Sequence, residues 1–234
     1  MQSFSINWKH HISENAVIKM LANRNKPEKI PSALSGFEDI NRYWDPKHGF
    51  YSAKILPGQY YVSNNDELIA TTLGSCISVC AVDRISGIGG MNHFMLPVYS
   101  ENHKDSWGST VVSAETRYGN FAMEHMINDI IKYGGVKSRI ELKIIGGGRV
   151  MDKMTDIGLR NIAFVYDYVA NEKLRLIKED IGDRYPRKVL FHVKSGKVKV
   201  RKLKKKNNTT LMRRDTEYMD RMKAEEFEGS VDLF

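Results

Sequence analysis

The stretch that decides the fold is residues 71–97, which read TTLGSCISVCAVDRISGIGGMNHFMLP. Two apolar runs, Gly74–Val82 and Ile88–Leu96, flank a short polar loop. Runs of this length, rich in β-branched residues and bounded by Gly, Asp and Ser, are typical of paired β-strands. The stretch therefore predicts a β-hairpin at the centre of the domain.

The register of this hairpin decides which side chains meet. If residues 83–86 form the loop, Val82 pairs with Gly87, and Cys76 lies directly opposite His93. Directly opposed residues share a face of the sheet, with Cβ atoms about 4.5–5.5 Å apart. A loop longer by one residue would break this pairing. The four-residue loop predicts a thiol beside an imidazole.

A cysteine beside a histidine is the arrangement that thiol catalysis requires. The imidazole generates the thiolate, which is the nucleophile, so Cys76 and His93 are candidate nucleophile and general base. The alternative is structural, since a cysteine in an apolar strand often packs as a small hydrophobe and a strand histidine often serves only the fold. Cys80, nearer the loop, is assigned that structural role.

The residues before Cys76 offer supporting groups. Gly74 and Ser75 permit a tight turn whose N–H groups could stabilise an oxyanion. A third group must orient the imidazole, and the hydroxyl of either Thr71 or Thr72 could accept its second N–H. The spacing leaves that choice open.

Working outward, the sequence predicts a domain of mixed α and β structure. The apolar patterns predict further strands and two amphipathic helices: strands Ala53–Leu56, Tyr60–Val62, Glu141–Ile145, Leu174–Lys178, Val189–Val193 and Val198–Leu203, and helices Thr116–Tyr133 and Asp156–Asn171. Residues 1–52, punctuated by Pro and Gly, predict an irregular extension, 53–203 the catalytic domain, and 204–234 a basic, flexible tail with room for one helical segment.

Composition narrows the class of protein. The 234 residues are 41% hydrophobic, enough for one core of ordinary size. Neither a signal segment nor a membrane-spanning run is apparent, and two cysteines are too few for a disulfide framework. We therefore expect a soluble cytoplasmic protein. The formal charge of +8 indicates non-specific attraction to anions rather than a specific nucleic-acid site.

The stretch from Thr71 to Pro97 resembles the CheD family, the chemoreceptor glutamine deamidases of bacterial chemotaxis. The resemblance runs from about Lys54 to Leu203 and includes further motifs: Leu56–Tyr61, Arg117–Glu124, Gly146–Gly147 and Ile157–Asn161. It implies an α/β (α+β) sandwich of mixed and antiparallel sheets flanked by helices, similar to the catalytic domain of the cytotoxic necrotizing factor toxins.

The resemblance also implies an activity. Family members hydrolyse the side-chain amide of selected glutamines on methyl-accepting chemotaxis receptors, and similar proteins also act on receptor methyl esters. By motif, Cys76 matches the nucleophile, His93 the base and Thr71 the third group. No metal or organic cofactor is implied, and a CheC-type phosphatase is an implied partner in some bacteria.

Three alternatives remain beside the deamidase: a receptor glutamyl methylesterase, a regulatory module that binds without turnover, and a basic nucleic-acid-binding protein. The run Arg201–Lys206 is typical of a solvated segment, although weak attraction to an anionic membrane surface would concentrate the protein near receptors. Gly146–Arg149 lacks the Gly-Lys-Ser/Thr ending of a phosphate loop and predicts a turn.

Overall fold

The computed structural model describes residues 26–96, 114–150, 155–204 and 213–221. These residues form ten strands, three α-helices and a 3₁₀ turn, which in chain order are β1 (Asn41–Asp45), β2 (Phe50–Lys54), β3 (Tyr60–Ser63), β4 (Leu68–Leu73), β5 (Ile77–Asp83), β6 (Ile88–Asn92), α1 (Ala114–Lys132), the turn Lys137–Arg139, β7 (Glu141–Gly146), α2 (Thr155–Asn171), β8 (Arg175–Ile181), β9 (Arg187–His192), β10 (Val198–Lys202) and α3 (213–221).

The strands form two five-stranded sheets. The first sheet has the order β1-β2-β4-β9-β10 and the second the order β3-β6-β5-β7-β8. Each is mixed, because β2 pairs with β4 and β7 with β8 in parallel while the other neighbours are antiparallel. The fold is the predicted α+β sandwich.

Two glycines of β6 show how the layers pack. A Cβ on Gly89 would meet the ring of Phe191 in the first sheet, whereas one on Gly90 would meet Met126 in α1. Successive residues of a strand point to opposite faces. The second sheet therefore lies between the first sheet and the helices, and all seven residues of its central strand β5 are buried.

The predicted helices agree with the structure to within two residues, but the strands differ more. Strand β5 begins at Ile77 rather than Gly74, and β6 ends at Asn92 rather than Leu96. Strand β4, Leu68–Leu73, was not predicted. Strand β1 and the start of β2 fall within residues 1–52, the segment predicted to be irregular. They form a hairpin in which the Asp45 carboxylate accepts hydrogen bonds from the Lys47 and His48 N–H groups. The domain boundaries stay a prediction.

The predicted register of the β5–β6 hairpin is wrong by two residues. Asp83 pairs with Ile88, so that the loop is residues 84–87 rather than 83–86. The Asp83 carboxylate accepts the N–H groups of Ile85 and Ser86, and this holds Asp83 as the last paired residue. Because the shift is an even number, the side chains keep their faces.

Candidate active site

Cys76 and His93 lie on one face of the second sheet, the face that packs on the first sheet. Ile77 and Phe94 exchange two backbone hydrogen bonds, of 2.9 and 3.0 Å, and Phe94 contacts Phe164 on the helix side. Their neighbours Cys76 and His93 therefore point away from the helices. The two are diagonal neighbours and not directly opposed as predicted, a relationship that places Cα atoms about 7–8 Å apart. Within the described residues, His93 Nε2 has no hydrogen-bond partner, so it does not bond the thiol in this conformation.

The imidazole of His93 is held by Thr71, across the gap between the two sheets. The Thr71 hydroxyl lies 2.7 Å from His93 Nδ1 and 3.0 Å from the carbonyl oxygen of Ile55. A hydroxyl has one proton to donate, and the carbonyl can only accept. Thr71 therefore donates to Ile55 and accepts from Nδ1–H, which leaves the lone pair of Nε2 available as a base. Thr72 points to the other face of β4.

The loop before Cys76 is held from behind by Asn161 of α2. This fully buried side chain donates from Nδ2 to the Ser75 carbonyl at 3.0 Å and accepts the Leu96 N–H at 2.8 Å. It thereby ties the residue before the thiol to the segment that follows His93. Sequence reasoning assigned Asn161 no role, although it lies in a stretch that carries the family resemblance.

The glycines after β7 complete this support. Gly147 N–H donates to the carbonyl of Cys76 at 2.8 Å, and Gly148 N–H donates to that of Gly74 at 3.1 Å. Gly146 has φ +121° and so little space that a Cβ would overlap the Cys76 carbonyl oxygen. The carbonyls of residues 74–76 are thus all bound on the side away from the site.

Helix α3 covers the other side of the loop. Arg214 donates to the Thr72 carbonyl at 2.6 Å, and the Asp215 carboxylate packs so closely on Gly74 that a Cβ there would overlap its Oδ2. Burial raises the pKa of Asp215, while Arg214 and, to a smaller extent, the N–H and hydroxyl of Ser75 oppose this rise. The carboxyl group of Asp215 therefore lies against the loop that is predicted to supply the oxyanion donors.

This environment keeps the candidate nucleophile and base uncharged. Burial raises the pKa of Cys76 well above its ordinary value, and the charge of Asp215 raises it further while Arg214 opposes it. Burial, with Arg214, holds the pKa of His93 well below its ordinary value. A neutral thiol and a neutral imidazole are the states that this conformation favours.

Known proteins resemble this chain over nearly its whole length. The family described as CheD chemotactic sensory transduction matches residues 95–202. A relative named "Probable chemoreceptor glutamine deamidase CheD" from Halorhodospira halophila is 48% identical over 213 residues, 90% of this chain and 97% of the relative. This chain belongs to the CheD family.

Two more CheD relatives carry the same printed name. The protein from Hahella chejuensis is 44% identical over 90% of this chain and 98% of its own length, and that from Saccharophagus degradans is 43% identical over 88% and 95%. The resemblance drawn from the sequence is therefore confirmed at the level of the family. The roles of individual side chains stay a prediction.

Of the residues that the sequence singled out, the structure joins Thr71 to His93 and places Gly74, Ser75 and Cys76 in the loop beside Asp215. Within the described residues, no hydrogen bond joins Cys76 to His93. Sequence reasoning missed the contribution of α3 within the tail. Its buried residues Asp215, Tyr218 and Met219 follow the i, i+3, i+4 spacing of one helix face, which is the signal that could have indicated a packed helix.

Among the residues that the structure describes, no group of three His, Cys, Asp or Glu side chains could hold a metal ion. Within the same residues, no helix is both long and apolar enough to cross a membrane.

Proposed function

We propose that this protein is a chemoreceptor glutamine deamidase in which Cys76 is the nucleophile, His93 the general base and Thr71 the group that orients it. Membership of the CheD family and the printed names of its relatives support the activity. The observation that carries the site assignment is the 2.7 Å contact between the Thr71 hydroxyl and His93 Nδ1, because it leaves Nε2 as a free acceptor.

The chemistry follows from these groups. His93 Nε2 takes the thiol proton, and Sγ of Cys76 forms a bond to the side-chain carbonyl carbon of the substrate glutamine. The tetrahedral intermediate collapses as Nε2 returns the proton to the leaving nitrogen, which releases ammonia and leaves a thioester. Water that Nε2 deprotonates then attacks the thioester, the C–S bond breaks, and glutamate and the thiol are released.

We assign stabilisation of the oxyanion to the backbone N–H groups at Ser75 and Cys76. The Ser75 N–H shares a peptide unit with the Gly74 carbonyl, which Gly148 binds, and the Cys76 N–H shares one with the Ser75 carbonyl, which Asn161 binds. These two hydrogen bonds keep both peptide units from turning over. Donors fixed in this way need no reorganisation as charge develops, and one such donor contributes about 10²–10³ in kcat.

We also propose a cytoplasmic location, which the two free cysteines, Cys76 and Cys80, support because free thiols persist in a reducing compartment. A CheC-type phosphatase as partner stays a prediction, as does weak attraction of the basic segment Arg201–Lys206 to an anionic membrane surface. Specific nucleic-acid binding is not expected.

The proposal is tested with purified protein and the cytoplasmic part of a chemoreceptor in amidated and methyl-esterified forms. Ammonia release that Cys76→Ala and His93→Ala abolish, and that Cys80→Ala retains, is the expected result. Release of methanol without ammonia would make the protein a methylesterase. If wild type released no more ammonia than Cys76→Ala, the protein would be a binding module without turnover.

A further inference from the structure

Helix α3 closes the candidate site through three contacts on its inner face. Arg214 reaches the backbone carbonyl of Thr72 on β4, and Asp215 lies on Gly74. One turn later the Tyr218 hydroxyl lies over Gly58, 2.7 Å from where a Cβ would stand.

The contact at Gly58 brings α3 to the histidine. The Gly58 N–H donates to the carbonyl of His93 at 2.8 Å, so Tyr218 packs on the segment that adjoins the base. With this helix in place, Cys76 and His93 are each 0% exposed. No protein side chain of a substrate can reach the thiol in this conformation.

Several polar groups at the contact between α3 and the candidate site are left unpaired. Within the described residues, four buried polar atoms that meet here have no hydrogen-bond partner: His93 Nε2, Arg214 Nε, Asp215 Oδ2 and the Tyr218 hydroxyl. Each unpaired group that is buried weakens the docking of the helix, because its hydration is lost without replacement. These unpaired groups favour a helix whose docking is weak enough to be reversed.

The chemistry of Asp215 resembles that of the reaction product. Deamidation of glutamine yields a side-chain carboxylate whose oxygens lie at the oxyanion donors. Asp215 places its carboxyl group against Gly74, in the loop assigned the oxyanion donors and close to the nucleophile whose pKa its charge raises. Among the described residues of α3, the other acidic side chains, Glu217 and Asp220, are exposed on its outer face.

We propose that α3 is an autoinhibitory segment that occupies the substrate's place over Cys76, with Asp215 as an internal mimic of the product carboxylate. This inference rests on the proposed function. A receptor segment competes with α3 for the same surface around Gly58, Gly74 and Ser75, and catalysis begins when α3 is displaced. The neutral thiol and imidazole of the closed form are then the resting state of the enzyme.

The test is the rate at which iodoacetamide alkylates Cys76 in the full chain, followed by peptide mass mapping. Two variants release α3 by different changes. Asp215→Arg removes the carboxylate, and Met219→Asp places a charge on the buried face. The matched control is Asp220→Arg, which makes the first change on the exposed face of the same helix. Cys80, buried within β5, reports any general unfolding.

We expect both release variants to raise the alkylation rate of Cys76 by roughly tenfold or more, with Cys80 unmodified and the control unchanged, because alkylation then follows local opening. Met219→Asp is the more decisive variant. A new negative charge in a docked helix would slow the alkylation of Cys76, so a faster rate requires that the helix is released. A Cys76 rate in both variants equal to that of wild type would overturn the inference, as would modification of Cys80 in step with Cys76.

Turnover separates this inference from the proposed function. We expect the release variants to hydrolyse a receptor fragment with a higher kcat/KM than wild type. Faster alkylation of Cys76 without ammonia from any protein would uphold the docked helix as a removable cover and reject the deamidase. Normal ammonia release with no change in alkylation or kcat/KM in either variant would uphold the deamidase and reject autoinhibition.

Discussion

The hydroxyl of Thr71 bridges two sheets: it accepts from His93 Nδ1 at 2.7 Å and donates to Ile55 O at 3.0 Å. Thr71→Val keeps the volume and removes the acceptor, so the ring loses its orientation and its tautomer. In an ammonia-release assay, we expect kcat to fall by about 10²-fold. This loss is within the range that general acid–base catalysis contributes.

The matched control lies one residue away. Thr72→Val should retain activity, because its side chain points to the other face of β4 and its carbonyl still accepts from Arg214. Thr71→Ser, which keeps the hydroxyl, should also retain it. Equal losses in Thr71→Val and Thr72→Val would contradict the assignment of the third group.

Asn161 is predicted to position the nucleophile loop without touching substrate. Asn161→Ala leaves the Ser75 carbonyl and the Leu96 N–H without their partner, at about 1–3 kcal/mol for each buried group. We expect a loss of about 2–4 kcal/mol in the free energy of unfolding in urea, together with a lower kcat and an unchanged KM. An unchanged kcat in protein shown to be folded would restrict Asn161 to stability.

Gly146 and Gly182 both have positive φ, +121° and +67°. Alanine at Gly182 adopts the left-handed conformation at about 1–2 kcal/mol, whereas φ +121° at Gly146 lies outside that region and strains an alanine further. At Gly182 the added Cβ meets open space, whereas at Gly146 it meets the Cys76 carbonyl. We expect Gly146→Ala to lower the free energy of unfolding by at least about 1 kcal/mol more than Gly182→Ala, and only the former to impair turnover. Equal effects would show that the contact with Cys76 is unimportant.

The burial of His93 makes stability depend on pH. Its pKa is held well below the ordinary value of 6.5, so the unfolded chain binds a proton that the folded chain does not. The contribution is fully present above pH 6.5 and is lost as the pH falls through that value towards the folded pKa. Between about pH 7.5 and 5.5, wild type should lose about 1 kcal/mol more in urea unfolding than His93→Asn. Parallel losses would indicate that His93 is protonated in the folded protein.

The sequence predicted the two helices well because their apolar spacing is unambiguous, but it did not predict β4. The run Leu68–Leu73 is largely buried on both faces, so its residues do not alternate between apolar and polar. Closeness to Cys76 in the chain leaves Thr71 and Thr72 as alternatives, and only the family motif favours Thr71. Thr71 reaches His93 because it lies on a strand of the opposite sheet, which the sequence does not indicate.

The register of the hairpin and the cover over the site depended on tertiary contacts. The sequence predicts Asp83 in the loop, but Arg139 donates two hydrogen bonds to its buried carboxylate from a distant part of the chain. Likewise, the spacing of Asp215 with Tyr218 and Met219 indicates that they share a helix face, but it does not indicate that this face packs on Gly74. Side-chain periodicity shows which residues share a face of a helix or strand. It does not show which other element packs on that face.

The most direct measurement of the central claim is mass spectrometry of a chemoreceptor co-expressed with this protein. The account predicts conversion of particular glutamines to glutamate with wild type and with Cys80→Ala, and none with Cys76→Ala or His93→Ala. Conversion that persists at the same glutamines in Cys76→Ala would contradict it.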